Sequence, residues 1–142
     1  MARHIWTILC SKASIDQQTN NISIFDVIER LTIAGAPHDA TIALPIQANL
    51  VVLWMRSEYT TPEAAVGRFT LVAPNRTTLG GGQFEINLGD PHIRARNIMR
   101  MNSLPLQGPG VYNFVIELQD PENNTWSVVA TLPLEVIYGE IE

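Results

Sequence analysis

Arg94, Arg96 and Arg100 form the densest cluster of like charge in this sequence. At the two-residue period of a β-strand they share one face, with Ile98 between Arg96 and Arg100. Guanidinium groups in a row offer planar, bidentate donors to carboxylates and phosphates. The stripe is therefore the candidate face for an anion, an acidic protein partner or a nucleic-acid backbone. The competing reading is a solvated sheet face whose arginines pair across strands with residues such as Glu85 or Glu117, or a charged edge that resists aggregation. The stripe is short and the chain acidic, with a net charge of −5 and a pI of about 5.1. That balance argues against nucleic acid as the partner.

The other reactive residue types lack spacing. His4, His38 and His92 each stand without a second ligand at metal-site spacing, although the loop pairs His38-Asp39 and Asp90-Pro-His92 could approach in space. Cys10 lies mid-strand and becomes a nucleophile only if a histidine folds beside it; a buried structural thiol is the plainer reading. No Gly-x-Ser-x-Gly elbow occurs. Gly80-Gly-Gly82 lacks the Lys-Ser/Thr of a phosphate cradle and leads into a strand, so it reads as a flexible connection. Trp6, Trp54 and Trp126 sit in apolar runs that favour core packing, whereas on an exposed face they would stack sugars. Asp16, Asp90 and Asp120 fall in turns without the dense ligand run that calcium requires. The expectation is no catalytic residue, no metal and no cofactor.

A chain of 142 residues fits one domain, 1–142, with enough core to fold without disulfides. Its composition, 46% hydrophobic and 16% charged, is that of a folded chain. There is one lysine, Lys12, against eight arginines. That bias suits fixed ion pairs, and a GC-rich genome would produce it equally. A lone cysteine and a start without a leader pattern point to the cytoplasm. The triplets at Asn21, Asn75 and Asn123 are then chance glycosylation matches. No apolar run approaches the ~20 residues of a membrane span.

Strands must position these residues. Phe84, Ile86 and Leu88 alternate on one face, as do Tyr112, Phe114, Ile116 and Leu118. Trp126, Val128, Ala130, Leu132, Leu134 and Val136 suggest a third face. The turn chemistry of Asp120-Pro-Glu-Asn-Asn124 joins the last two into a hairpin over 111–138. Pro133 implies a bulge or an edge position. Strands are also expected over Ile5–Ala13, Ile22–Phe25, Leu50–Met55, Arg68–Ala73 and Ile93–Ser103. The last of these places Ala95, Asn97, Met99 and Met101 opposite the arginines. Residues 26–31 lean to strand over helix, and Thr60–Ala65 suits one short helix with Thr61 as N-cap and Pro62 in its first turn. About eight strands without long helices predict an antiparallel β-sandwich, immunoglobulin-like or jelly-roll-like.

The run from Ile8 to Leu31, with Cys10, Asp16-Gln-Gln-Thr-Asn20 and Ser23-Ile-Phe-Asp-Val-Ile-Glu29, resembles the opening of a family of small, uncharacterised bacterial proteins. Leu104 to Phe114 and the closing Trp126 and Pro133-Leu-Glu-Val136 are similar to that family's later segments. The resemblance implies a β-sandwich and transfers no catalytic residue. Gly110-Val-Tyr112-Asn-Phe114-Val-Ile116 also resembles the final hairpin of immunoglobulin-like modules, which speaks to fold and not to function.

No motif assigns an activity. The expectation is a non-enzymatic interaction or assembly module with a protein partner or self-association, and no membrane or nucleic acid. A small-ligand or carbohydrate binder using tryptophan and arginine is the alternative. An enzyme assembled from Cys10, His38 and His92 would require those side chains to meet.

Overall fold

The computed structural model describes residues 1–37 and 39–139. They form eleven strands and no helix: β1 (Arg3–Ile15), β2 (Ile22–Val27), β3 (Arg30–Ala34), β4 (Thr41–Leu44), β5 (Ala48–Met55), β6 (Glu63–Val72), β7 (Thr78–Leu88), β8 (Arg94–Met101), β9 (Leu104–Gln107), β10 (Gly110–Gln119) and β11 (Trp126–Gly139). No helix is long and apolar enough to cross a membrane. The expected eight strands fall short because β3, β4 and β9 have only four or five residues each, too few for an alternation to register.

One sheet has the order β2-β1-β5-β8, a second β3-β11-β10-β6-β7, and a two-stranded ribbon joins β4 to β9. The pairing is antiparallel except that β3 runs parallel to β11, from Arg30 opposite Glu135 to Ala34 opposite Gly139. The expectation of a wholly antiparallel arrangement is corrected there. Leu9, Leu50, Val52 and Trp54 of the first sheet share a core with Tyr112, Phe114, Ile116, Leu118 and Leu134 of the second. Leu104 and Leu106 of the ribbon close that core, and all these side chains are buried.

The hairpin over 111–138 is present as β10 and β11. Its second face differs from expectation. The ladder shifts between Ile116, opposite Ala130, and Glu117, opposite Val128, which leaves Val129 as an extra residue. A bulge reverses which residues face inward. Trp126 and Val128 therefore join Glu117 on the outer face, while Ala130, Leu132 and Leu134 face the core. Pro133 lies before Glu135, where β3 joins β11, so β11 has only β10 beside it at that point.

Two local expectations are overturned. Thr60–Ala65 forms no helix, because Glu63 to Ala65 pair with Leu88 to Ile86 of β7. Gly80–Gly82 is no connection but the interior of β7, opposite Leu71, Thr70 and Phe69. A Cβ on Gly81 would strike the Phe69 carbonyl oxygen, so glycine there permits a close backbone approach. Residues 26–31 follow the extended reading, running through the end of β2, a two-residue link and the start of β3, with Asp26, the penultimate residue of β2, in the left-handed region at φ 54°.

His4 sits edge-on to Trp54, with ring centroids 5.5 Å apart, and its Nε2 lies 2.6 Å from the Thr7 hydroxyl. Burial lowers its pKa, so the native state holds the ring neutral. The unfolded chain takes up that proton below about 6.5. The contribution of this group is thus complete above that pH and is lost as pH falls. His4→Gln should show a shallower loss of urea-unfolding stability between neutral pH and pH 5 than the wild type; equal slopes would contradict this.

Candidate functional site

The face of the first sheet turned away from the core is assembled row by row. Arg94 stands opposite Met55, Arg96 opposite Leu53, Ile98 opposite Val51 and Arg100 opposite Asn49. On β1, Trp6, Ile8 and Cys10 continue the last three rows. Side-chain alternation sends Ala95, Met99 and Met101 to the core and the three arginines to the other side. The shared arginine face is as expected.

That face is not an open plane. Cys10 and Val51 are fully buried, yet they lie opposite the core-facing Leu9, Leu50 and Val52. The β1–β2 hairpin accounts for this. β1 pairs with β5 only as far as Cys10, and from Lys12 to Ile15 it has β2 alone beside it. Freed from β5, the hairpin curls across the face until its tip meets β8. There Arg96 Nη2 donates to the Asn20 carbonyl oxygen at 2.7 Å and to its Oδ1 at 3.0 Å. The tip is rigid for local reasons. Asp16 Oδ1 accepts from the Gln18 and Thr19 amides at 2.8 and 2.9 Å, and Asn20 adopts φ 59°, which asparagine tolerates better than most residues. Those amide bonds hold the Asp16 carboxyl below its ordinary pKa.

The three arginines therefore have different fates. Arg94 is exposed. Arg96 is spent on the hairpin tip, and burial together with the charge of Arg94 lowers its pKa. Arg100 is exposed and makes no ion pair among the described residues. The carboxylates considered as cross-strand partners lie on the second sheet. Glu117 receives a bidentate contact from Arg68 at 2.9 and 3.0 Å, under the Trp126 ring 4.2 Å away. Among the described residues Glu85 makes no ion pair, and its backbone oxygen accepts from Asn97 at 2.9 Å. The arginine face keeps its positive charge.

Between the curled hairpin and the ends of β5 and β8 lies a cavity of about 450 Å³. Ser11 and Lys12 border it from the hairpin, Gln47 and Asn49 from β5 and its approach, and Ile98, Arg100 and Asn102 from β8 and its exit. None of the described residues lining it is acidic. Asn49 Nδ2 donates to the Ser11 carbonyl oxygen at 3.1 Å and fixes the wall where β1 leaves β5. The Ser11 hydroxyl is directed to Asp26 Oδ2 at 3.2 Å, and the Lys12 ammonium lies 5.9 Å from the Phe25 ring centre. Two cations and three amides around one cavity are all groups that can donate hydrogen bonds to an anion.

No family model matches this chain. No curated protein matches it either. Among solved structures it is similar to the C-terminal domain of wzt, at 15% identity and a TM-score of 0.44, over 95% of this chain and 72% of that one.

The other sequence candidates do not converge. Cys10 is fully buried, and burial pushes its thiol pKa up, away from the reactive thiolate. His92 lies beyond the opposite end of β8, roughly 25 Å along the strand from the Cys10 row. His38 lies outside the described residues. Among the described residues, no three His, Cys, Asp or Glu side chains gather as metal ligands. Trp54 is in the core, whereas Trp6 and Trp126 are half-buried on outer faces, contrary to the expectation that all three pack inside. Sequence reasoning missed the amides of Gln47, Asn49 and Asn102, because only the curl of a distant hairpin brings Ser11 and Lys12 to them.

Proposed function

We propose that this chain is a non-enzymatic binding module, cytoplasmic and built as a β-sandwich, that takes a small anion in the cavity beneath its β1–β2 hairpin. One observation carries the reading: among the described residues, Arg100 and Lys12 border a cavity with no acidic lining residue, and Arg100 has no ion-pair partner. A volume of about 450 Å³ falls within the ~300–1,000 Å³ typical of small-molecule sites. The immunoglobulin-like description draws support from Tyr112, whose hydroxyl returns to residues 107 and 108 as in the tyrosine corner of such domains. With Arg96 committed to Asn20, the stripe offers no continuous track for a nucleic-acid backbone.

Calorimetric titration with inorganic phosphate tests the reading. Arg100→Ala should weaken binding about 10- to 100-fold, the worth of one or two charge-assisted hydrogen bonds. Arg68→Ala, on the other sheet, should leave the affinity unchanged. Equal affinities for wild type and Arg100→Ala, or no binding to either, would contradict it.

A second reading, self-association or a protein partner, draws on β2. This edge strand presents Phe25 and Val27, 48% and 53% exposed. Unpaired apolar edges invite pairing with another chain. Light scattering would show a species heavier than the monomer that Phe25→Lys returns to monomer.

A further inference from the structure

We infer that the anion bound beneath the hairpin is carried on a hydroxylated body, as in a sugar phosphate or a sugar acid. This rests on the anion-binding reading above and names its ligand class. Gln47, Asn49 and Asn102 line the same cavity as Arg100 and Lys12. A carboxamide presents an acceptor oxygen beside its donor nitrogen. Inorganic phosphate at neutral pH carries only one or two hydroxyl donors, too few for three amide oxygens in its site. Hydroxyl groups both donate and accept, and they satisfy that mixed wall. One of the two Asn49 Nδ2 hydrogens is given to the Ser11 carbonyl, which leaves its acceptor oxygen and a single donor. Ile98 supplies an apolar floor between the arginine rows, suited to the C–H surface of a sugar or polyol. A site built for inorganic phosphate alone would have no use for that floor, nor for so large a volume.

The latch between Asn20 and Arg96 fits the same ligand. It ties the hairpin tip to β8 with a contact that uses neither Arg100 nor Lys12. Both cations stay available while the cavity keeps its walls.

The test is calorimetry on the full chain with inorganic phosphate, glycerol phosphate, glucuronate and glucose. The wild type is compared with a Gln47→Ala, Asn102→Ala double variant whose fold is checked by circular dichroism. The expected result is that glycerol phosphate or glucuronate binds at least about tenfold tighter than both inorganic phosphate and glucose. The tighter of the two reports whether the site prefers a phosphate or a carboxylate. The double variant should lose that preference, its affinity for the hydroxylated anion falling about tenfold more than its affinity for inorganic phosphate. Inorganic phosphate binding as tightly as both hydroxylated anions would overturn the ligand class and leave the anion site standing, as would glucose binding equally well. Failure of every anion to bind would overturn the site itself.

Discussion

Replacing Arg56 by methionine will lower the unfolding free energy by about 3 kcal/mol, the largest single loss expected outside the apolar core. Arg56 is only 3% exposed, at the end of β5 where the ladder to β8 stops. Its Nε donates to the Leu88 carbonyl at 2.8 Å, its Nη1 to the Tyr59 carbonyl at 2.8 Å and its Nη2 to Asp90 Oδ1 at 3.0 Å. One guanidinium thus ties the end of β7 to the loop leaving β5 and to the turn before β8. Methionine keeps much of the length and removes every donor, leaving two main-chain carbonyls to find other partners. The abandoned carboxylate of Asp90 is 81% exposed and returns to water, which keeps the loss near the lower end of the range for a broken buried pair. In thermal unfolding this should be a fall in Tm of roughly 10 °C. A shift of under about 2 °C would show that the clamp contributes little. Arg56→Lys should recover less than half the loss, because a single ammonium cannot span three divergent acceptors.

Tyr112→Phe is expected to cost about 2 kcal/mol. The buried hydroxyl accepts from the Gln107 amide at 2.6 Å and donates to the Gly108 carbonyl at 2.7 Å, so its removal strands one donor and one acceptor. Tyr138→Phe should cost less. The Tyr138 hydroxyl receives the Gly108 amide at 3.0 Å and donates to the Ala40 carbonyl at 2.9 Å. That amide and carbonyl already meet each other at 3.2 Å and remain paired without it. Burial raises the Tyr112 pKa, so the native state resists an ionisation that the unfolded chain undergoes near 10. Its contribution is complete below that pH and is lost as pH rises. Urea unfolding across the alkaline range should therefore show a shallower loss for Tyr112→Phe than for the wild type. Equal costs for the two tyrosine variants, or equal alkaline slopes, would contradict this assignment.

What the sequence disclosed follows the range over which each signal acts. The alternations of Phe84 to Leu88 and Tyr112 to Leu118 are local, interrupted by no bulge, and both were legible. Trp126 and Val128 were misassigned because one extra residue at Val129 reverses the alternation, and nothing in the composition announces it. Thr60–Ala65 carries good helix-start chemistry, but pairing with β7 overrides it. The glycines of β7 look like a linker until the Phe69 backbone is placed beside Gly81.

The candidate site divides the same way. Strand period sufficed to put Arg94, Arg96 and Arg100 on one face. Their separation into an exposed, a latched and a cavity-lining residue depends on Asn20, 76 residues before Arg96. No local pattern carries that contact. Arg56 was invisible for the same reason, since Leu88 and Asp90 lie more than 30 residues on. The positive charge of the face was readable, and the concavity that makes it a site was not.

The measurement that bears most directly on the anion site is a nitrogen-resolved NMR titration of the isotopically labelled chain with inorganic phosphate. Saturable shifts are expected at the amides of Lys12 and Arg100 and at the side-chain amides of Gln47, Asn49 and Asn102, with the Arg68 and Glu117 signals unmoved. Saturable shifts confined to any other face, or no saturable shift at all, would contradict it.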